Sequence, residues 1–140
     1  MEQINLYRMR MLERETRKLA WRIERERARA ERSSCVLTGM PGREYRTSRV
    51  EDGAIRISEL KDAYRETFEE LDGMREALAP VISSLDDPTE RGVMRLRYLK
   101  GYRAEEIAEA VYLTDRMVYY ILRRSERKLA ERYPELIRAE

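Results

Sequence analysis

Four residues near the C-terminal end carry side chains that could read a nucleic-acid base: Asp115, Arg116, Tyr119 and Tyr120. An arginine fork donates two parallel hydrogen bonds to guanine, and a carboxylate accepts from the cytosine amino group. A tyrosine can lie against a thymine methyl or bond a phosphate. Arg116 is the best placed for guanine, and Asp115 for cytosine. Arg123, Arg124, Arg127 and Lys128 follow these residues, and Arg95, Arg97, Lys100 and Arg103 precede them. With Thr114, these cations are expected at phosphates, which fix a protein on the duplex without reading its sequence.

The composition leaves little room for other chemistry. There is no histidine, so the commonest general base and the commonest metal ligand are missing. Cys35 is the single cysteine, which excludes an intrachain disulfide and reads as a small residue at a helix end. Carboxylates are plentiful but fall mostly at solvated helix positions, and no glycine loop could cradle a phosphate. The expectation is no enzyme, no cofactor and no metal. No apolar run approaches the roughly 20 residues of a membrane span, and no basic start leads into an apolar leader, so a cytoplasmic protein is expected.

The 140 residues are 40% charged and 42% hydrophobic, with six glycines, four prolines and a mean hydropathy of −0.76. That balance predicts an all-α chain with a thin core. The net charge of +2 hides an uneven distribution. Residues 1–49 are basic, residues 50–87 acidic, and residues 88–140 basic again.

The elements that must position the candidate residues follow from periodicity. Met9, Leu12, Thr16, Leu19, Ile23 and Ala30 recur at steps of three and four, with Glu26 interrupting, and predict one helix over 2–34. Glycines and a proline mark a loop within 36–49. A second helix is expected over about 50–84. Its stripe of Ile57, Leu60, Tyr64, Thr67, Leu71, Met74, Leu78, Val81 and Leu85 is a strict heptad, widened by Phe68 and Ile82. One long helix is basic and the other acidic, so they are expected to pair as an antiparallel hairpin. Pairing between chains, as in a homodimer through the long helices, stays open.

Asp87, Pro88 and Glu90 have the spacing of a capping box opening a helix that runs to Lys100, with Gly101 as its stop. A short helix is expected over 104–110, with Ile107, Ala108 and Val111 inward. Thr114 should cap a last helix over 114–132, with Val118, Ile121, Leu122, Ser125 and Leu129 inward and Tyr133-Pro134 at its end. Three helices in this order suit a helix-turn-helix, whose second helix enters the major groove.

Residues 90–129 resemble the helix-turn-helix of bacterial sigma-factor region four. The stretches that carry the likeness are Arg-Gly-Val-Met-Arg-Leu-Arg-Tyr-Leu-Lys-Gly-Tyr, Glu-Glu-Ile-Ala-Glu-Ala-Val, and the run from Thr114 to Leu129. With the Gly39–Gly42 loop and the Ser-Leu-Asp-Asp-Pro joint, the chain is similar to phage and prophage late-gene transcriptional regulators. The resemblance implies duplex DNA binding through the helix that starts at Thr114, with Asp115, Arg116, Tyr119 and Tyr120 at the bases. It also implies regulation of transcription; sigma factors can in addition touch RNA polymerase through this region. Two positions depart from the family. Arg103 stands where a serine or threonine usually caps, and Tyr112 where the turn usually has glycine.

The expected architecture is all-α: a long antiparallel, coiled-coil-like hairpin over 1–85, a three-helix helix-turn-helix over 86–133, and a tail over 134–140. The expected function is sequence-specific binding of double-stranded DNA in transcriptional regulation. A small DNA-packaging subunit or a coiled-coil assembly adaptor is the rival.

Overall fold

The computed structural model describes residues 3–35 and 43–138, and side-chain surroundings for 3–32 and 51–138. The described chain is mostly helical. Its elements are strand β1 (Ile4–Asn5), helices α1 (Leu6–Cys35), α2 (Arg43–Ser83) and α3 (Pro88–Met94), a π-helical extension Arg95–Leu99, helices α4 (Ala104–Val111) and α5 (Asp115–Arg132), and strand β2 (Ile137–Arg138). Two compact units divide it: Met1–Glu13 with Glu70–Glu140, and Arg14–Glu69.

In the first unit the start of α1 and the end of α2 share a core with the short helices. Leu6, Met9 and Leu12 join Leu71, Leu78, Ile82, Val93, Met94, Ile107, Val118 and Leu129, all at most 1% exposed. Each such side chain contributes about 1.5–3 kcal/mol by leaving water. The Glu13 carboxylate sits over Gly101, so close that a Cβ there would lie 2.7 Å from the carboxyl carbon. Gly101 also has φ of 74°, so glycine is required twice over.

The second unit holds the remainder of α1 and α2. Thr16, Leu19 and Ile23 are buried, and Ile57, Leu60, Tyr64 and Thr67 of α2 are half-buried, as the two stripes require. Phe68 lies at the edge, 38% exposed, with its ring stacked on Tyr64 at 6.0 Å. Ala30, expected in the α1 stripe, is exposed.

Four boundaries differ from expectation. Residues 43–49 are helical rather than loop, because no glycine or proline interrupts the chain from Arg43 to Asp52; residues 36–42 of the expected loop lie outside the described residues. The expected tail over 134–140 is described as far as Arg138, and that part is not free. Its β2 pairs in parallel with β1, Ile4 opposite Ile137 and Asn5 opposite Arg138, and both isoleucines are buried. Two-residue strands carry no alternation to find in a sequence. The helix expected to reach Lys100 turns π-helical at Arg95, where the Lys100 N–H donates to the Arg95 carbonyl at 3.0 Å. Finally, Asp87 caps α3 by accepting from the Thr89 N–H at 2.9 Å, but Glu90 does not complete a capping box. Its side chain is turned into the core instead.

No helix of the described residues is long and apolar enough to cross a membrane.

Candidate nucleic-acid interface

The helix α5 is held by its ends and by one face. Thr114 stands at the N-cap with extended backbone, and its hydroxyl oxygen accepts from the Met117 N–H at 3.2 Å. The turn before it contains Tyr112 at φ 58°, ψ 43°, among the described residues the one non-glycine in the left-handed region. That conformation costs a bulky L-residue about 1–3 kcal/mol. It is tolerated here because Ala108 and Leu113 close the turn with a 3.0 Å backbone hydrogen bond. The preceding helix α4 has no side-chain acceptor at Arg103. Glu106 substitutes by accepting from the Arg103 backbone N–H at 3.2 Å and from its Nε at 3.1 Å.

One face of α5 is core: Val118, Ile121, Leu122, Ser125 and Leu129 are buried, and the Ser125 hydroxyl donates to the Ile121 carbonyl at 2.7 Å. On the opposite face Arg116, Tyr120, Arg123 and Arg127 follow at steps of four, three and four, which stacks them in one exposed row. None of the three arginines forms a salt bridge with a described residue. Asp115 and Tyr119 are exposed beside the row, Tyr119 at 45%. All four base-contact candidates are therefore on the surface, at the first two turns.

The phosphate candidates divide. Lys100, Arg123 and Arg127 are exposed and make no side-chain hydrogen bond to a described residue. Arg95 donates to the Ser83 hydroxyl at 3.2 Å, Arg97 to the Tyr102 carbonyl at 3.2 Å, and Arg103 pairs with Glu106, all at or near solvent. Arg124 and Lys128 are committed elsewhere. Both donate to Glu90 Oε1 at 2.8 Å, and Arg124 also reaches Asp87 at 3.4 Å. The Glu90 side chain is 1% exposed, and its Oε2 has no hydrogen-bond partner among the described residues. The hydrogen bond to Glu90 raises the Arg124 guanidinium above its ordinary value. Arg124 also lies 5.6 Å from the Tyr120 ring centroid, which steadies that tyrosine at the edge of the row.

A second polar network sets α5 against the rest of its unit. The Tyr98 hydroxyl donates to Glu126, and Arg10 donates to the Tyr98 oxygen at 2.9 Å and to Glu126 at 3.3 Å. Burial and the adjacent Glu126 carboxylate push the Tyr98 phenol well above its usual range, so it stays a neutral donor. Arg75 adds a further tie, pairing with Glu13 and donating to the Tyr98 carbonyl at 2.9 Å.

Three residues near this surface were not singled out as contacts. Met117 is 47% exposed on the first turn, and Tyr112 is 92% exposed just before it. Glu90 anchors two cations from inside. A signal for it existed: Glu90 stands three and four residues before Val93 and Met94, on the core face of its helix. No group of His, Cys, Asp or Glu among the described residues could hold a metal ion.

No family model, curated protein or solved structure matches this chain.

Proposed function

We propose that this chain is a sequence-specific, double-stranded-DNA-binding regulator of transcription, working in the cytoplasm. In this reading α4 and α5 are a helix-turn-helix, the 114–132 helix lies in the major groove, and α1 and α2 form a long antiparallel hairpin. The observation that carries it is the row Arg116, Tyr120, Arg123 and Arg127, exposed opposite the core face of a helix whose N-terminus is fixed by a cap and a tight turn. A major groove about 12 Å wide admits one helix, and that helix must present unengaged polar groups on the side away from its own core. Arg116, Asp115, Tyr119 and Tyr120 are the base readers. Lys100, Arg123 and Arg127 hold phosphates, with Thr114, Arg95, Arg97 and Arg103 at the margins. Arg124 and Lys128 act first on Glu90 and reach a phosphate only from that anchored position. The resemblance of 90–129 and of the joint before it supports phage or prophage genes as the regulated ones.

Selection of bound fragments from random duplexes tests the reading. One motif should emerge, with log affinity falling linearly against log salt. On that motif Arg116→Ala should lose about 1–3 kcal/mol and relax preference at one base pair. Equal loss on random DNA would reassign Arg116 to a phosphate. Absence of any duplex preference at low ionic strength would remove the proposal.

A further inference from the structure

Within the unit Arg14–Glu69, the surface shared by α1 and α2 is hollowed into an open pocket of about 620 Å³. The helix α1 lines it with Trp21, Arg22, Arg25, Glu26 and Arg29, and α2 with Arg56, Glu59 and Leu60. Four guanidiniums thus share the pocket with two carboxylates. One carboxylate is already answered, since Glu26 pairs with Arg29 at 3.7 Å. Arg22, Arg25 and Arg56 are exposed and form no salt bridge with a described residue, and neither does Glu59. On α1, Arg22, Arg25 and Arg29 follow at steps of three and four, where like charges repel. An anion between them would relieve that repulsion.

The pocket also has an aromatic wall. Trp21 is 60% exposed, and the Arg25 guanidinium lies 5.1 Å from its ring centroid. An indole left this open offers a planar group a stacking face. Leu60 adds an apolar contact beside it.

We propose that this pocket binds a nucleoside phosphate: the base on Trp21, the phosphates among Arg22, Arg25 and Arg56, and a sugar hydroxyl donating to Glu59. Each part of the lining then meets its chemical complement. A bare phosphate would leave Trp21 and Leu60 uncovered, and an uncharged aromatic would leave three guanidiniums unanswered. The guanidinium fork matches phosphate oxygens and needs no glycine-rich loop to hold them. Pockets of about 300–1,000 Å³ take small molecules, and this one lies in that range. The inference rests on this unit alone and does not depend on the reading of α5.

Trp21 is the single tryptophan of the chain, so its fluorescence reports this pocket directly. The full chain is titrated in low salt with ADP, GDP, CDP and UDP. At least one should quench the fluorescence along a saturating curve, and the tightest serves in the remaining arms. Its free nucleoside and pyrophosphate each carry half of the ligand and should bind about tenfold more weakly or worse. Arg22→Gln with Arg56→Gln should also weaken the nucleotide about tenfold or more. The melting temperature should stay as it was, because both side chains are exposed. Arg14→Gln with Arg65→Gln removes the same charge from exposed positions of the same two helices, outside the pocket lining, and should leave binding unchanged. Four diphosphates without saturable quenching, or equal losses in the two double variants, overturn the proposal. So does pyrophosphate that binds as tightly as the nucleotide, or a single-stranded DNA oligomer that displaces the nucleotide at lower concentration than the nucleotide itself needs.

Discussion

The two sides of α5 carry the same residue types and use them differently. On the flank turned toward α3, Arg124 and Lys128 converge on the buried Glu90 carboxylate. On the side away from the core, Arg123 and Arg127 reach no described partner and stand in solvent. Adjacent arginines, 123 and 124, thus have separate duties, and so do adjacent 127 and 128. What separates them is one third of a helical turn and a single acidic residue at the start of α3. Cations that neutralise a buried charge hold the helix; cations left over are available to a polyanion. Counting positive charges along the helix would credit all of them to a ligand.

The largest effect that tests this contrast is on stability. Arg124→Ala with Lys128→Ala strips Glu90 of both partners and leaves a carboxylate inside the core, a loss of about 3 kcal/mol. Arg123→Ala with Arg127→Ala should move stability by no more than about 0.5 kcal/mol. Urea unfolding of the two double variants gives both numbers. Equal losses would mean that the outer arginines are also structural, and the exposed row would lose its claim to be free.

The same pair of cations shows where a sequence stops being readable. The buried stripes were legible because burial repeats with the helical period: Leu71, Leu78 and Val81 on α2, and Val118, Ile121 and Leu129 on α5, lie where spacing put them. The cap at Thr114 and the stop at Gly101 were legible because their chemistry is local. Glu90 was read as a capping partner because its spacing from Asp87 fits one. Its burial depends on α5, some 34 residues later, and no local pattern reports such a partner. Arg103 shows the reverse case. The missing cap residue was visible, but the repair by Glu106 needed the folded turn. The strands at Ile4–Asn5 and Ile137–Arg138 are nearly the whole described chain apart, and each is too short to show a period.

Tyrosines repeat the contrast at a smaller scale. Tyr98 is buried and serves α5 through Glu126, while Tyr112 is 92% exposed in the turn. Tyr98→Phe removes the hydroxyl and leaves the half-buried Glu126 with Arg10, costing about 1–2 kcal/mol at neutral pH. The alkaline limb carries the sign. The folded-state phenol titrates above its ordinary value of 10.0, so its stabilisation is complete below about pH 10 and is lost as pH climbs toward the folded value. Wild-type stability should therefore fall above about pH 10 more steeply than that of the Phe variant, which has no phenol to ionise. Parallel slopes in unfolding curves across that range would show that Tyr98 is not held in this network.

Tyr112 should give the smallest change and the opposite sign. Its backbone is left-handed and its ring lies 92% exposed among the described residues, so the fold gains little from the side chain and bears the strain. Glycine reaches φ 58° without a Cβ clash, at some cost in chain entropy. The net for Tyr112→Gly is about 0.5–1 kcal/mol of added stability, seen as a melting temperature a few degrees higher. Tyr112→Asn, which keeps a Cβ and tolerates this region, should fall between glycine and wild type. Destabilisation by both variants would show that the ring packs on something the isolated fold needs. The contrast between inward residues that hold α5 and outward residues that are free would then fail at the turn that aims the helix.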